Sequence, residues 1–396
     1  MSGFIPPALR YPFFGDEHAA LAERVSAWAA ALPDEAVDDH ADLDRTCRSL
    51  ARGLGEAGLL APAAPRSAPG ERVRHDVRSL CLTRQILGYR SGLLDFVFAL
   101  QGLGSGAIAL FGSDEQRDRY LAPAAAGQAL PAFALSEARS GSDVANIETS
   151  ARREGDSYVL NGQKTWISNA GLADHYVVFA RTGEAPGAKG LSAFIVEARN
   201  PGLRLVERLD VVAAHPLGTI AFENCRVDAS ALVGAQGQGF KVAMATLDVF
   251  RPSVAAAAAG FARRAIDEAL DWTVERTLAG VVLADQQATQ MRFADMITET
   301  VASELLIYSA AWLRDSGAER ITVEAAMAKL KATESAQITI DSAVQLLGGK
   351  GVLKGNVCEA LYREIRALRI YEGTSEIQKL LIGRKAVADA RAVRAA

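Results

Sequence analysis

The chain has 396 residues and a mass of 42.0 kDa, with 43 Lys and Arg against 47 Asp and Glu, for a formal charge of −4. That balance excludes a strongly basic polyanion binder, and 49% hydrophobic with 23% charged residues excludes a largely disordered chain. The length predicts two or three compact units around a substantial core.

The first twenty residues include Arg10, Asp16, Glu17 and His18 without a long apolar run, and no stretch of ~18 uncharged apolar residues occurs. Neither a signal peptide nor a membrane span is therefore expected, and the expected compartment is the cytoplasm. Cys47, Cys81, Cys225 and Cys358 are far apart with no C-x-x-C pairing, which predicts four inert thiols. His18, His40, His75, His175 and His215 show no H-x-H or H-x-x-x-H spacing, so no metal site is expected.

From Asp16, a plausible N-cap, Leu21, Val25, Trp28 and Leu32 recur at helical spacing. A second helix is predicted over 74–87, and Gly112-Ser113-Asp114-Glu115-Gln116 opens a third with Ser113 or Asp114 as cap. The period changes after Pro131. Ser157 to Leu160 and Gln163 to Ile167 read as two strands joined by an Asn161-Gly162 turn. Further short strands are predicted at Tyr176 to Phe179, Ala193 to Val196 and Ile220 to Phe222, with turns such as Asn200-Pro201-Gly202. Helical periodicity returns beyond Gly239. Ile297, Val301, Leu305, Tyr308 and Trp312 form one stripe before a Gly317 stop, with similar patterns at 261–277 and 322–346. The expected fold is multidomain α+β: an N-terminal helical domain (1–127), a middle antiparallel β-barrel or sandwich (128–236) and a C-terminal helical bundle like a four-helix bundle (237–396).

Five stretches could carry chemistry. In 369–378, Glu372 lies between bulky apolar residues and Gly373, where an apolar cleft would raise its pKa and make it a general base. By spacing alone, a surface glutamate beside a helix start capped by Thr374 or Ser375 is the commoner reading. In 133–144, small hydroxyl residues and Gly141 leave backbone N–H groups free for a phosphate or a ring edge, or else form a polar connecting loop. Lys164 to Asn169 could lay the Trp166 indole on a planar cofactor, or bury it in a core. Leu247 to Pro252 places Arg251 at the start of an Ala-rich helix, facing a phosphate or paired with Asp248. Gln345 to Gly351 allows a close backbone approach, or is an ordinary helix stop. The glycines of 234–239 lack the βαβ context of a dinucleotide loop.

In this order, the stretches resemble the acyl-CoA dehydrogenase family over nearly the whole chain. Tyr371-Glu372-Gly373-Thr374-Ser375-Glu376-Ile377-Gln378 is the most specific match, supported by Ser142-Asp143-Val144, Lys164 to Asn169, Leu247-Asp248 with Arg251-Pro252, and Gln345 to Gly351. The resemblance implies FAD as cofactor and an acyl-CoA substrate. It makes Glu372 the base that takes the α-proton of the thioester while the β-hydrogen leaves as hydride to flavin N5, giving a trans-2-enoyl-CoA. The thioester carbonyl would be held by the Glu372 N–H and a flavin ribityl hydroxyl.

The same resemblance places Phe133, Leu135, Ser136, Gly141, Ser142, Trp166, Ile167 and Ser168 on the flavin. Arg276, Gln287, Gln345, Leu346, Gly348, Gly349, Thr374 and Glu376 would serve the rest of FAD, several across a subunit interface. Ser142, Leu247, Asp248, Arg251, Tyr371 and Gly373 would line the substrate. It further implies an electron-transfer flavoprotein as acceptor and a homo-oligomer, tetramer or dimer, with no nucleic-acid or membrane partner. Some members carry the base at the position matching Phe250, which cannot ionise here, whereas Glu372 can.

Three departures stand out. Arg139 replaces a glycine of the E-P-G-A-G-S-D run, Ala279 replaces the aromatic of R-x-x-F-G, and 213–218 replaces an R-x-S-x-T loop. Tyr89-Arg90-Ser91 echoes the carboxylate-binding stretch of dicarboxylyl-CoA members, although an Arg90–Asp95 ion pair competes with that reading. Other reactions on the same fold are a desulfinase, an oxidase or a carrier-tethered acyl desaturase, and a flavin-poor binding protein is a further alternative.

Overall fold

The computed structural model describes residues 4–38, 42–66, 70–71 and 73–395; His40 lies outside them. In chain order the elements are helices α1 (Asp16–Ala31), α2 (Asp34–Asp38), α3 (Leu43–Glu56), α4 (Val77–Arg90), α5 (Gly92–Phe111) and α6 (Asp114–Ala125). Strands β1 (Pro131–Ala134), β2 (Ser150–Glu154), β3 (Ser157–Ser168), β4 (His175–Arg181), β5 (Leu191–Glu197), β6 (Leu203–Leu209), β7 (Leu217–Asp228) and β8 (Leu232–Val233) follow. Helix α7 (Gly239–Glu275), the hairpin β9 (Thr277–Leu278) and β10 (Val281–Val282), and helices α8 (Gln287–Asp315), α9 (Thr322–Leu347), α10 (Val357–Leu368) and α11 (Ser375–Ala395) complete the chain. The order helical, then β, then helical is the one expected.

The chain divides into two compact units, one of Met1–Pro33, Asp76–Asp95 and Asp248–Ala396, the other of Asp34–His75 and Phe96–Leu247. In the first, α9 packs against α8, α10 and α11, while α4 packs against α1 and α8. Helix α4 starts at Val77, three residues beyond the expected Arg74, because Asp76 caps it: its carboxylate accepts from the Ser79 N–H at 3.1 Å and the Ser79 hydroxyl at 2.5 Å. Helix α1 likewise begins at Asp16 with Gly15 as its cap, where the sequence suggested Asp16. Ser113 is the cap of α6, in a reciprocal box with Gln116.

Helix α8 reverses an expectation. Of the predicted stripe, Ile297, Leu305 and Trp312 are exposed, whereas Phe293, Met296, Thr300, Ile307 and Ala311 are buried with Tyr308. The bundle side of α8 thus uses a mixture of large and small residues that a search for large side chains does not pick out. Helix α7 is also longer than expected. It begins at Gly239 and passes through Pro252, so Arg251 lies inside it and not at its start.

In the second unit, eight strands form one sheet in the order β6-β7-β3-β2-β4-β5-β8, with β1 beside β4. Pairing is antiparallel apart from β1–β4 and a single β2–β4 contact. Alternate residues of β4 serve two cores: Tyr176 and Val178 on one face, Val177 and Phe179 on the other. Helices α5 and α7 are long and apolar enough to cross a membrane, yet 89% and 83% of their most apolar windows are buried inside the protein, as core helices are.

The Asn161-Gly162 pair is not a hairpin turn. Strand β3 runs straight through it, with a register shift against β7 between Leu160 and Gly162; the two-residue turn is Gly155-Asp156, between β2 and β3. Gly162 has φ 144°, and a Cβ there would lie 2.7 Å from the Thr149 Cα. Close approach of the β2 entry, not turn formation, requires this glycine.

One ion pair sits inside this unit. Lys164, with no exposure, donates to Glu137 Oε1 at 2.8 Å and to the Leu135 carbonyl at 3.0 Å, while Glu137 also accepts from the N–H groups of Glu148 and Thr149 at 2.6 and 2.9 Å. Burial opposes ionisation of Glu137, but the Lys164 charge and these donors overcome it and hold its pKa below the usual value. Burial pushes Lys164 down to about 8 against the pull of Glu137. The four cysteines are buried free thiols, and burial raises Cys47 and Cys358 to about 12 and Cys225 to about 11.

Gly162→Ala is expected to lower unfolding stability by ~1–3 kcal/mol, measured by denaturant titration. Glu137→Gln strands a buried ammonium and is expected to cost ~3–5 kcal/mol at neutral pH. Because the folded pKa of Glu137 lies below its unfolded value, that contribution is present above the unfolded pKa and disappears as pH falls through the folded one. Equal stability of mutant and wild type across pH would contradict this account.

Candidate active site

Several chemistry-bearing residues of the first unit converge on one turn between α10 and α11. Glu372 has φ 53°, a left-handed conformation that costs a non-glycine residue on the order of 1–3 kcal/mol. The next residue, Gly373, has φ 94°, and a Cβ there would meet Gln378 Nε2 at 2.6 Å. Three buried side chains hold the carbonyls of this turn. Arg251 Nε donates to the Glu372 carbonyl at 3.3 Å, Lys329 Nζ to those of Tyr371 and Gly373 at 3.0 and 2.6 Å, and Gln378 Nε2 to that of Gly373 at 2.8 Å. Thr374 then caps α11 through the Ile377 N–H at 3.4 Å.

The Glu372 carboxyl itself has no such anchor. Its Oε2 is buried and accepts no hydrogen bond among the described residues. Burial raises its pKa, opposed by the charges of Arg84, Lys329 and Arg251 and reinforced by Asp95. Among the described residues the Glu372 N–H also makes no hydrogen bond. A carboxyl biased toward holding a proton and an open backbone donor therefore occur on the same residue.

The groups around this turn are themselves ordered. Arg84 is 2% exposed and grips Asp95 with two hydrogen bonds, at 2.8 and 2.7 Å, while reaching Ser253 at 3.1 Å. Asp248 accepts from Arg251 at 2.9 Å and from the Thr322 hydroxyl at 2.8 Å. Of the two readings of Arg251, the structure therefore shows the ion pair, on a side chain turned under the Glu372 loop. Arg90 donates to the Ala29 and Leu32 carbonyls at 3.2 and 2.8 Å, closing the end of α1. Asp95, its expected partner, is gripped by Arg84. Sequence reasoning missed Arg84 and Lys329, and it named Gln378 within the Tyr371 to Gln378 match without giving it a role. The available signal for Arg84 was a lone cation in the run Leu80 to Leu87, whereas Lys329 shares the alanines of 325–332 with Lys331 and carried no such signal.

A second gathering in this unit joins Arg276 and the end of α9. Lys350 lies 4.5 Å from the Trp272 ring centroid and the Arg276 guanidinium 5.9 Å from it. Gln345, Gly348 and Gly349 are exposed beside Lys350, Leu346 is half-buried, and Gln287 is the exposed first residue of α8. Gly349 has open space where a Cβ would be. Ala279-Gly280 is the β9–β10 turn, with φ 49° and 81°. Glu376 is exposed in the first turn of α11.

In the second unit, Trp166 is no core residue. It is 57% exposed at φ 60°, because β3 bulges against β7 between Lys164 and Ile167 and turns the indole outward. Ile167 is buried and Ser168 half-buried beside it. The substituted loop anchors this strand end: the Asn169 N–H donates to the Pro216 carbonyl at 2.7 Å, and His215 packs on Phe96 with ring centroids 4.3 Å apart. Ser136 and Phe133 are half-buried, Leu135 and Leu247 buried, and Gly141, Ser142 and Arg139 exposed. The Ser136 carbonyl accepts from the Thr165 N–H at 3.0 Å, so Ser136 and the Trp166 strand lie side by side. An exposed indole beside hydroxyls and open backbone fits a flavin ring, and Arg276 with the glycines of 348–349 fits its anionic arm.

The chain matches the acyl-CoA dehydrogenase N-terminal domain over residues 15–128, the middle domain over 132–225 and the C-terminal domain over 237–387. It is 35% identical to the 3-(aryl)acrylate reductase of Clostridium sporogenes, over 93% of this chain and 98% of that protein. It is 39% identical to the mitochondrial short-chain specific acyl-CoA dehydrogenase of Rattus norvegicus, over 84% and 81%. A chain from the structural study of the electron transferring flavoprotein of Acidaminococcus fermentans superposes with a TM-score of 0.86 at 33% identity, covering 94% of this chain and 98% of that one. Proteins of this family are FAD flavoproteins. The three domain matches in order, joined to the half-buried glutamate and the outward-turned tryptophan, make this chain an oxidoreductase of the acyl-CoA dehydrogenase family.

Proposed function

We propose that the protein removes the α- and β-hydrogens of an acyl-CoA thioester, with Glu372 as the base. The observation that carries this reading is the half-buried Glu372, its Oε2 buried and unpartnered, on a strained turn whose own N–H is open. The α-proton of a thioester is weakly acidic. A carboxylate with a raised pKa accepts it with less mismatch than an ordinary one, and the Glu372 N–H can meet the carbonyl oxygen as charge develops there. Arg84, Arg251 and Lys329 keep the carboxylate form accessible in spite of burial. FAD, when bound, supplies the acceptor for the hydride leaving Cβ. Phe133, Leu135, Ser136, Gly141, Ser142, Trp166, Ile167 and Ser168 would hold its ring, and Arg276, Gln287, Gln345, Leu346, Gly348, Gly349, Thr374 and Glu376 the remainder. Ser142, Leu247, Asp248, Tyr371 and Gly373 would lie along the thioester, and Arg251 acts from beneath the turn.

An electron-transfer flavoprotein is the proposed acceptor, a reading supported by the Acidaminococcus neighbour. A homo-oligomer is proposed on the exposed Met291, Ile297, Leu305 and Trp312 of α8 and Ile338 of α9, apolar surface left uncovered by the chain's own elements. A second reading runs the same step backwards, as the Clostridium relative's name describes for that protein. Protonated Glu372 would then give its proton to the α-carbon of an enoyl group, with FAD, bound in its reduced form, supplying the hydride for Cβ, a role that a raised pKa equally suits.

Glu372→Gln is expected to retain flavin and lose turnover by ~10²–10⁴-fold; substantial remaining dehydrogenation would remove the assignment. In the dehydrogenation direction kcat/KM should fall as pH drops through the raised Glu372 pKa, with the limb above the ordinary carboxylate value of ~4.3. A limb at or below that value would contradict a desolvated base. Anaerobic titration separates the directions: a saturated acyl-CoA bleaches the flavin in the first, and an enoyl substrate reoxidises the reduced flavoprotein in the second.

A further inference from the structure

A lysine ammonium with no exposure, inside a helix face of small residues, requires an explanation. On α9, Ala325, Ala326, Ala328 and Ala332 are all buried around Lys329. Burying an ammonium is costly unless its donors are satisfied. Two of the three donors of Lys329 go to main-chain oxygens, Tyr371 at 3.0 Å and Gly373 at 2.6 Å, which flank the residue proposed as base. The oxygen between them, that of Glu372, is taken by Arg251 at 3.3 Å. Three consecutive carbonyls therefore point toward buried cations, and a turn with its carbonyls gathered on one side presents the Glu372 carboxyl and N–H elsewhere.

We propose that Lys329 is a positioning residue for the reaction: by clamping the carbonyls on both sides of Glu372 it holds the left-handed turn that aims the base. The inference rests on the reading of Glu372 as the proton-transfer group. Lys329 touches neither thioester nor flavin in this account; it acts through the main chain. Its charge has a second effect, because it faces the same carboxyl that Arg84 of α4 and Arg251 of α7 face, opposite Asp95 of α5. Its own charged neighbours are Glu372, Arg251, Glu334 of α9 and Glu376 of α11. Gln378, with no exposure, supplies a neutral second donor to the Gly373 carbonyl at 2.8 Å and to the Glu372 carbonyl at 3.4 Å.

The test compares wild-type holoenzyme with Lys329→Met, which keeps chain length and removes both donors and charge, and with Gln378→Leu, which removes a donor and leaves the charge. Turnover, flavin content, the pH profile of kcat/KM and hydrogen exchange of the segment 369–378 are measured together. Lys329→Met is expected to lose ~10–100-fold in kcat with KM changed less than ~3-fold. Its acid limb should move upward, because a cation that lowers the Glu372 pKa is removed, and the amides of 371–374 should exchange faster while flavin is retained. Gln378→Leu is expected to lose several-fold in kcat with the limb unmoved, and it carries the test if Lys329→Met fails to fold.

Wild-type kcat and exchange in a folded variant would overturn the proposal. So would a loss of activity explained wholly by lost flavin with the limb unchanged. If wild type itself turns over no thioester in either direction, the reading of Glu372 fails and the catalytic role of Lys329 falls with it, whereas an active wild type beside an unimpaired Lys329→Met overturns the positioning role alone.

Discussion

The structure of the proposed active site depends on how a carboxyl can be buried without being neutralised by a partner. A salt bridge to Glu372 would stabilise it and remove its use as a base. The chain instead places Arg84, Arg251 and Lys329 where they act on the carboxyl through space while their hydrogen bonds go to Asp95, Ser253, Asp248 and the carbonyls of 371–373. Each cation is satisfied by something other than the base. The remaining pull is enough to keep ionisation accessible but not enough to cancel the desolvation that raises the pKa.

The same economy recurs in the sheet-bearing unit with a different outcome. There the ammonium of Lys164 does bond a carboxylate, Glu137, and the pair is closed further by two main-chain N–H groups. That carboxylate is held low and has no proton to give. It ties the stretch after β1 to β3 next to the bulge that turns Trp166 outward. Two buried Lys and Glu combinations thus perform opposite work: one fixes a scaffold, and the other leaves a reactive carboxyl open.

Much of this was legible in the sequence. The change from 3.6-residue to two-residue period and back gave the order of elements, and the Tyr371 to Gln378 match singled out Glu372. Failures came where tertiary contacts override local signals. Asn161-Gly162 has turn chemistry, yet the approach of Thr149 makes it a bulge within one strand. The stripe of α8 suggested a core face, but Ile297, Leu305 and Trp312 of it are exposed, and Phe293, Met296, Thr300, Ile307 and Ala311 are buried with Tyr308 instead. Arg84 and Lys329 were missed because their value lies in what they touch elsewhere in the chain, Asp95 and Ser253 for one and the carbonyls of Tyr371 and Gly373 for the other, which periodicity does not encode. Arg90 was noticed for its neighbours in sequence, whereas in the fold it closes the end of α1.

The central claim is that Glu372 exchanges a proton with the α-carbon of a thioester, and that step can be observed without following electrons. The measurement is deuterium uptake at the α-position of a saturated acyl-CoA incubated anaerobically with the flavin-loaded protein in D2O, followed by mass spectrometry. The account predicts α-deuterium incorporation by wild type and none above background by Glu372→Gln at equal flavin content. Equal incorporation by the two proteins, or none by wild type with a thioester that bleaches its flavin, would contradict it.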